Sequence, residues 1–285
     1  MEKRKMRSKK PEIPGFTLLS CCGSGTAGKV WLGMDRRQNL QAVRLVAKTE
    51  NAALVRTERR GVKLYRSLGS EHVNLLKILD SGETADHLYC ITDAADNLRA
   101  GSGSYEPDTL SDRMALGSLT FRAVLRCLDA ILAGMGYLHE HGLAHCDLKP
   151  ENILFVRGVL KIGDPGMVSP SGVRSPGGSA GFRPPWPATG KECDIYAFGK
   201  MIYLLCTRED PLRFPEIPEQ CDLAAFMPLN EIALGCCERD PKRRFRDAGE
   251  IRRALNRVKI CAAGRNRRAG SARTESKSEW PAGAG

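Results

Sequence analysis

The chain of 285 residues lacks any uninterrupted apolar run of the ~18–20 residues that a membrane helix needs, so no bilayer span is expected. The basic start, MEKRKMRSKK, is followed by no apolar stretch and does not read as a secretory signal. There is no CxxC pair and no Cys/His spacing that fits a zinc site. No internal repeat is visible. What is present is ordinary for a globular chain: 42% hydrophobic and 27% charged residues, which excludes a wholly disordered or fibrous protein. The 11 cysteines, an odd number that includes the pairs Cys21-Cys22 and Cys236-Cys237, read as reduced thiols of a cytoplasmic protein.

Net charge is small in the body and concentrated at the ends. Of the net +11, residues 1–10 carry +5 and residues 259–285 carry +4, leaving +2 for the 248 residues between. The ends read either as solvated tails or as contacts for an anionic partner such as nucleic acid or lipid. Their low apolar content predicts disorder over 1–14 and 261–285.

From Phe16 to about Asp93 the pattern is strand-like: Phe16–Cys22, Lys29–Gly33, Gln41–Ala47, Leu75–Leu79 and Leu88–Thr92. One imperfect helical stripe interrupts it over Asn51–Leu68. A breaker, Gly101-Ser102-Gly103-Ser104, precedes a change of character. Phe121–His139 carries apolar residues at Val124, Leu125, Leu128, Ile131, Leu132, Met135 and Leu138, the 3–4 spacing of an amphipathic helix. Further helices are expected over Tyr196–Cys206, Leu229–Cys237 and Ala248–Val258. Ser169–Pro187, with five prolines and four glycines, reads as a loop.

Two clusters carry chemistry. Gly23-Ser24-Gly25-Thr26-Ala27-Gly28 is a GxGxxG pattern that lies between two strands. A dinucleotide fold would need a helix after it; a glycine-rich hairpin instead covers a triphosphate with backbone amides. Further on, His145-Cys146-Asp147-Leu148-Lys149-Pro150-Glu151-Asn152 resembles the catalytic loop of the protein kinase family, H-R-D-x-K-P-x-N. Lys161-Ile162-Gly163-Asp164-Pro165-Gly166 resembles its metal-binding D-F-G. The order and spacing hold from Gly23 to near Val258.

The resemblance implies an α+β, bilobal kinase-like fold: a small β-rich lobe over about 15–92, a hinge over about 93–97 and a larger helical lobe over about 98–260. It implies ATP and Mg²⁺, with Asp147 as base, Lys149 at the γ-phosphate, and Asn152 and Asp164 as metal ligands. Gly23, Ser24, Gly25, Thr26 and Gly28 would cover the phosphates. Val30 and Ala42 would sandwich the adenine, and Asp93 and Ala95 would read it at the hinge beyond Thr92. Arg44 stands where the family has the strand lysine, with Glu58 as its acidic partner. Asp194 would brace the catalytic loop, and Ser179 occupies the threonine position of the substrate-facing loop.

Four departures stand out. Arg44 replaces that lysine, a planar fork for a compact ammonium. Cys146 replaces the arginine that receives a loop phosphate. Pro165 replaces the D-F-G phenylalanine, and Pro184-Pro185-Trp186 stands for A-P-E, which would leave Arg244 without its buried partner. The function implied is ATP-dependent phosphoryl transfer to Ser/Thr hydroxyls of a protein substrate. The alternative is a pseudokinase that binds nucleotide and acts as a scaffold or switch.

Overall fold

Alternation along the first strands sorts their side chains. In Leu40–Ala47 (β3), Val43 and Leu45 are buried in a small core with Leu18 and Ile91, while Ala42 and Arg44 face the other way. The computed structural model describes residues 10–275 except 26, 27, 70, 100, 102 and 118. β1 (Phe16–Gly25) and β2 (Gly28–Asp35) form an antiparallel hairpin, closed by the Gly25–Gly28 pair. β4 (Ile78–Glu83) and β5 (His87–Asp93) complete a sheet of order β1-β2-β3-β5-β4. Between β3 and β4 runs α1 (Ala52–Arg66), capped by Asn51, whose side chain accepts from the Ala53 N–H.

The chain then turns helical. After α2 (Leu110–Leu116) comes α3 (Phe121–Glu140), whose expected apolar stripe is buried in the main core. Short strands follow: β6 (Leu143–Ala144), β7 (Ile153–Val156), β8 (Val159–Ile162) and β9 (Ser169–Pro170). They pair as β6–β9 and β7–β8. The remaining helices are α4 (Gly190–Thr207), α5 (Leu223–Cys237) and α6 (Ala248–Glu275). α4 is buried on nearly every side, with Phe198, Met201, Ile202 and Tyr203 inaccessible. A helix apolar all round belongs at the centre of its domain. The fold is the expected mixed α+β, a sheet-rich first part and a helical second part. No helix among the described residues is long and apolar enough to cross a membrane.

Four expectations need correction. The strand expected over Leu75–Leu79 begins at Ile78; Leu75 makes only an isolated parallel bridge to Ile162. The stretch from 261 is helical to Glu275. Its Ala and Arg content lacks a core face but has high helix propensity, which extends an existing helix without a new nucleus. The N-terminal segment is not free along its whole length either. Ile13 is buried in the sheet core, and Lys10 Nζ donates to the carbonyls of Leu18 (3.0 Å) and Leu19 (2.8 Å). Residues 1–9 and 276–285 lie outside the described residues. Finally, Arg244 does have a partner: its guanidinium pairs with Glu192, on the first turn of α4. Glu192 also closes a capping box with Thr189, accepting from its N–H at 2.8 Å. A glutamate six residues beyond Trp186 thus supplies the missing charge.

Two stability outcomes follow. Ile13→Ala should lower the unfolding free energy by about 2 kcal/mol, measured by urea denaturation, whereas removal of residues 1–9 should leave it nearly unchanged. Glu192→Ala should cost about 2 kcal/mol, since it removes a cap and strands a buried guanidinium together. A neutral result for Glu192→Ala would mean that the backbone carbonyls of Glu238 and Arg239, which Arg244 also reaches, suffice.

Candidate active site

A cleft of about 570 Å³ lies between the sheet and the helical part. Cys22, Gly23, Ser24, Gly25, Gly28, Val30, Ala42 and Arg44 form one side of it. Lys149, Asn152, Leu154 and Asp164 form the other, with Thr92 and Ala95 at the connection. The hairpin lies close against β3 because Gly28 carries no side chain; a Cβ there would run into the Leu45 carbonyl. Of the residues expected at a nucleotide, Thr26 is outside the described set. Glu58 and Asp93 are not in the cleft wall. Glu58 stands behind Arg44, and the Asp93 carboxylate turns toward Arg157, 3.9 Å away.

Arg44 links both sides of the cleft. Its Nε donates to Glu58 Oε1 at 2.9 Å, and Nη1 lies 3.1 Å from Asp164 Oδ2. Burial works against the charge, but Asp164 and then Glu58 outweigh it and hold the guanidinium protonated. Lys48, the next lysine along the chain, is engaged away from the cleft: it donates to the Thr84 carbonyl at 2.7 Å and pairs with Glu83.

The contact between α1 and the Asp164-Pro165-Gly166 turn is close because two glycines meet there. A Cβ on Gly61 would lie 2.6 Å from the Pro165 carbonyl oxygen, and one on Gly166 would strike the Glu58 carboxylate. Without the bulk of a phenylalanine at 165, α1 settles directly onto the turn. Asp164 itself takes a left-handed backbone conformation, φ 53° and ψ 72°.

The loop of residues 145–152 is fixed from below. Asp194, wholly buried near the start of α4, accepts the N–H groups of His145 (2.8 Å) and Cys146 (2.7 Å) and lies 2.9 Å from His139 Nε2. His145 Nε2 is 2.6 Å from the Gly163 carbonyl, tying this loop to Asp164. Asn152 Nδ2 donates to the Asp147 carbonyl and to its Oδ2, at 2.8 and 3.1 Å.

Asp147 Oδ1 accepts from the Ser179 N–H and hydroxyl, at 3.0 and 2.8 Å, and Lys149 Nζ lies 3.0 Å from Oδ2. The same Lys149 donates to Ser179 Oγ at 2.7 Å. Burial would raise the Asp147 carboxyl, but Lys149 and Ser179 together hold it below the usual range. It is therefore ionised at neutral pH and able to accept a proton from an aliphatic hydroxyl.

Cys146 is buried, with a positive φ of 66°, and its Sγ lies 3.2 Å from Ser169 Oγ. Burial, then the nearby Asp194 charge, pushes the thiol up to about 12. The place where the family carries a phosphate-binding arginine is thus neutral, as the sequence implied.

Sequence reasoning missed Gly61, Tyr105 and Asp112. Gly61 had a signal, a glycine inside a helical pattern. Tyr105 and Asp112 line the cleft from beyond the hinge, where no motif marks them. Gly61→Ala provides a check on the packing. Intrinsic propensity alone would make this change stabilising by about 1 kcal/mol. The clash should reverse the sign to a loss of about 1–3 kcal/mol by urea denaturation; a gain in stability would show that α1 is not seated on the turn.

Comparison with known proteins agrees with this geometry. A family model described as "Protein kinase domain" matches residues 16–249. A Corynebacterium efficiens protein, "Serine/threonine-protein kinases drp72", is 25% identical over 276 residues, covering 87% of this chain and 51% of the relative. "Serine/threonine-protein kinase GRIK2" of Arabidopsis thaliana is 31% identical over 173 residues, 55% of this chain and 39% of the relative. "Serine/threonine-protein kinase pkn2" of Myxococcus xanthus is 25% identical over 276 residues, 84% and 32% respectively. The chain spans about half or less of the length of these relatives. With the glycine hairpin, the braced Asp147 loop and the Arg44–Asp164 bridge in one cleft, and the family match running through all of them, the chain belongs to the protein kinase family.

Proposed function

We propose that the chain transfers the γ-phosphoryl group of ATP to serine or threonine hydroxyls of a protein substrate. The observation that carries this is Ser179: an aliphatic hydroxyl donates to Asp147 while it accepts from Lys149. A substrate hydroxyl received in that way would be polarised by an ionised carboxylate, with an ammonium beside it to meet the charge of the incoming phosphoryl group.

Mg²⁺ fits the residues present. Asn152 spends its amide N–H groups on Asp147, which leaves its carbonyl oxygen as the acceptor, and both Asn152 and Asp164 line the cleft. Two oxygen ligands and a polyphosphate suit a cation that keeps several non-protein ligands. When bound, Mg²⁺ neutralises phosphate charge. The protein's own share is Arg44 near the α- and β-phosphates, amides of the glycine hairpin above them, and Asp147 holding the hydroxyl proton. Retention of base, ammonium and metal ligands supports turnover over a nucleotide-binding scaffold. The free cysteines of the described residues support a reducing, cytoplasmic setting. The basic stretch from Lys259 supports contact with an anionic partner.

Asp147→Ala should lower turnover by about 10²–10⁴-fold in a labelled-ATP assay, with nucleotide affinity retained. Equal activity in the variant would overturn the assignment of the base. Arg44→Lys should raise turnover, since an ammonium releases the second contact and frees Asp164 for metal, while Arg44→Ala should weaken nucleotide binding as well. A loss of activity in Arg44→Lys would mean that the site is shaped around the guanidinium.

The acid side of the pH profile is a further check. Because the Asp147 carboxyl is depressed, its protonation lies below the ordinary carboxylate range, and it should impose no loss of activity between pH 5 and 8. Ser179→Ala removes one depressing contact and should move the acid limb upward; an unmoved limb would show that Ser179 does not act on this carboxylate.

A further inference from the structure

A second concentration of charge lies apart from the cleft and shares no wall residue with it. Residues 241–246 turn sharply after Asp240, whose carbonyl accepts the N–H groups of Arg243 and Arg244, both at 3.0 Å. With α6 they enclose a hollow of about 610 Å³. Lys242, Arg243, Arg244, Arg246, Arg253 and Arg257 line it, against a single carboxylate, Glu250. Arg253 and Arg257 stand four residues apart and so share one face of α6. Part of this charge is spent within the fold: Arg244 pairs with Glu192, Arg243 with Glu238 at 3.3 Å, and Arg246 with Glu250. Arg246, and more weakly Arg253, hold the Glu250 carboxyl below its usual range. Lys242 and Arg257 are exposed and have no ion-pair partner among the described residues. Crowded like charges repel, so the surplus costs stability that an anionic ligand would give back.

The basic hollow adjoins a second one of about 520 Å³, with Phe245 and Arg257 in both walls. The character changes there. Met227, Ile232, Ala254, Val258 and Cys261 line it, and Glu231 is the only carboxylate in its wall. The wall between the two hollows is fixed. The Phe245 ring is seated by Gly235 of α5, where a Cβ would lie 2.7 Å from the ring, and the Phe245 N–H donates to the Gly235 carbonyl at 3.2 Å. Side by side, the hollows offer cations at one end and apolar surface at the other.

We propose that this double hollow is the docking site for an acidic segment of a partner protein that carries apolar side chains beside its carboxylates. The proposal does not depend on the chemistry of the cleft. Carboxylates of the segment pair with the arginine forks, and its apolar side chains fill the space between α5 and α6. Glu231 fixes the direction, because it repels the acidic end. A nucleic acid would satisfy the cations alone: the one aromatic ring in the walls, Phe245, is packed against Gly235 and offers bases no free face to stack on. A flat lipid surface would reach the rims of the hollows and not their walls.

The test uses fluorescein-labelled peptides in which a block of four glutamates is joined to a Leu-Phe-Leu block by one to four glycines. Their anisotropy is measured with the full chain at about 0.15 M salt. At least one spacing should bind, and replacing either block by serines should weaken it about tenfold or more. Lys242→Glu with Arg257→Glu should cost about tenfold, and Met227→Asp, at an exposed position of the apolar wall, about threefold or more. Arg60→Glu with Lys63→Glu makes the same change of charge at exposed positions of α1 and should leave the affinity within about twofold. Thermal melts establish that each variant is folded. Absence of binding by every peptide, equal losses from the α1 and the hollow variants, or an affinity indifferent to the apolar block overturns the proposal. A single-stranded oligonucleotide of equal charge that binds more tightly and displaces the peptide overturns it in favour of nucleic acid, and phosphatidylserine vesicles that do so overturn it in favour of a membrane.

Discussion

The Arg44 guanidinium, held between Glu58 and Asp164, is the contact on which the cleft depends. It joins a strand, a helix and the Asp164 turn through one half-buried cation. An ion pair removed from water gives back its desolvation cost only when the geometry satisfies both partners. A planar fork can satisfy two carboxylates at once, which a single ammonium does less well. The replacement of lysine by arginine thus fits a structure in which α1 is drawn tightly against the Asp164 turn. Gly61, Pro165 and Gly166 supply the matching absence of bulk. Arg44 and Pro165, two of the departures from the family pattern, act with Gly61 and Gly166 as one adjustment.

The large elements were legible because their burial is one-sided. The stripe from Val124 to Leu138 could be nothing but a core helix, and the glycine hairpin was visible because strands flank it. Asp147, Asn152 and Asp164 were legible through the resemblance of their motifs to those of the kinase family; the structure bonds Asn152 to Asp147 and sets Asn152 and Asp164 in the wall of one cleft. The β4 boundary was less legible, because Leu75 is buried by the helical part and not by strand pairing. Helix through Glu275 was hidden because low apolar content was read as disorder, although Ala and Arg favour helix without a core. Ile13 was lost for a similar reason: one apolar residue in a basic segment carries no periodicity. The pairing of Arg244 with Glu192 was out of reach, since 52 residues separate the partners and no pattern joins them.

The pocket around Cys146 shows a different kind of economy. Where an arginine would await a phosphate, a protonated thiol, Ser169 and Gly190 pack closely enough that a Cβ on Gly190 would lie 3.1 Å from the sulfur. Asp194 nevertheless holds the loop through the Cys146 N–H. Backbone hydrogen bonds hold this loop to Asp194, and position 146 offers no cation to a phosphate.

Glu192 has a consequence for variation among descendants of this chain. In A-P-E the glutamate ties the substrate-facing segment to the stability of the helical part, so a change there is filtered by folding as well as by substrate fit. Here the anchoring charge has moved onto α4. The segment around Pro184-Pro185-Trp186 is held instead by apolar contact, with the Trp186 ring edge-on to Tyr196 at 5.5 Å. Such a segment can accept polar and charged substitutions without stranding Arg244. Its sequence can change while the Arg244–Glu192 pair and the fold beneath it stay the same.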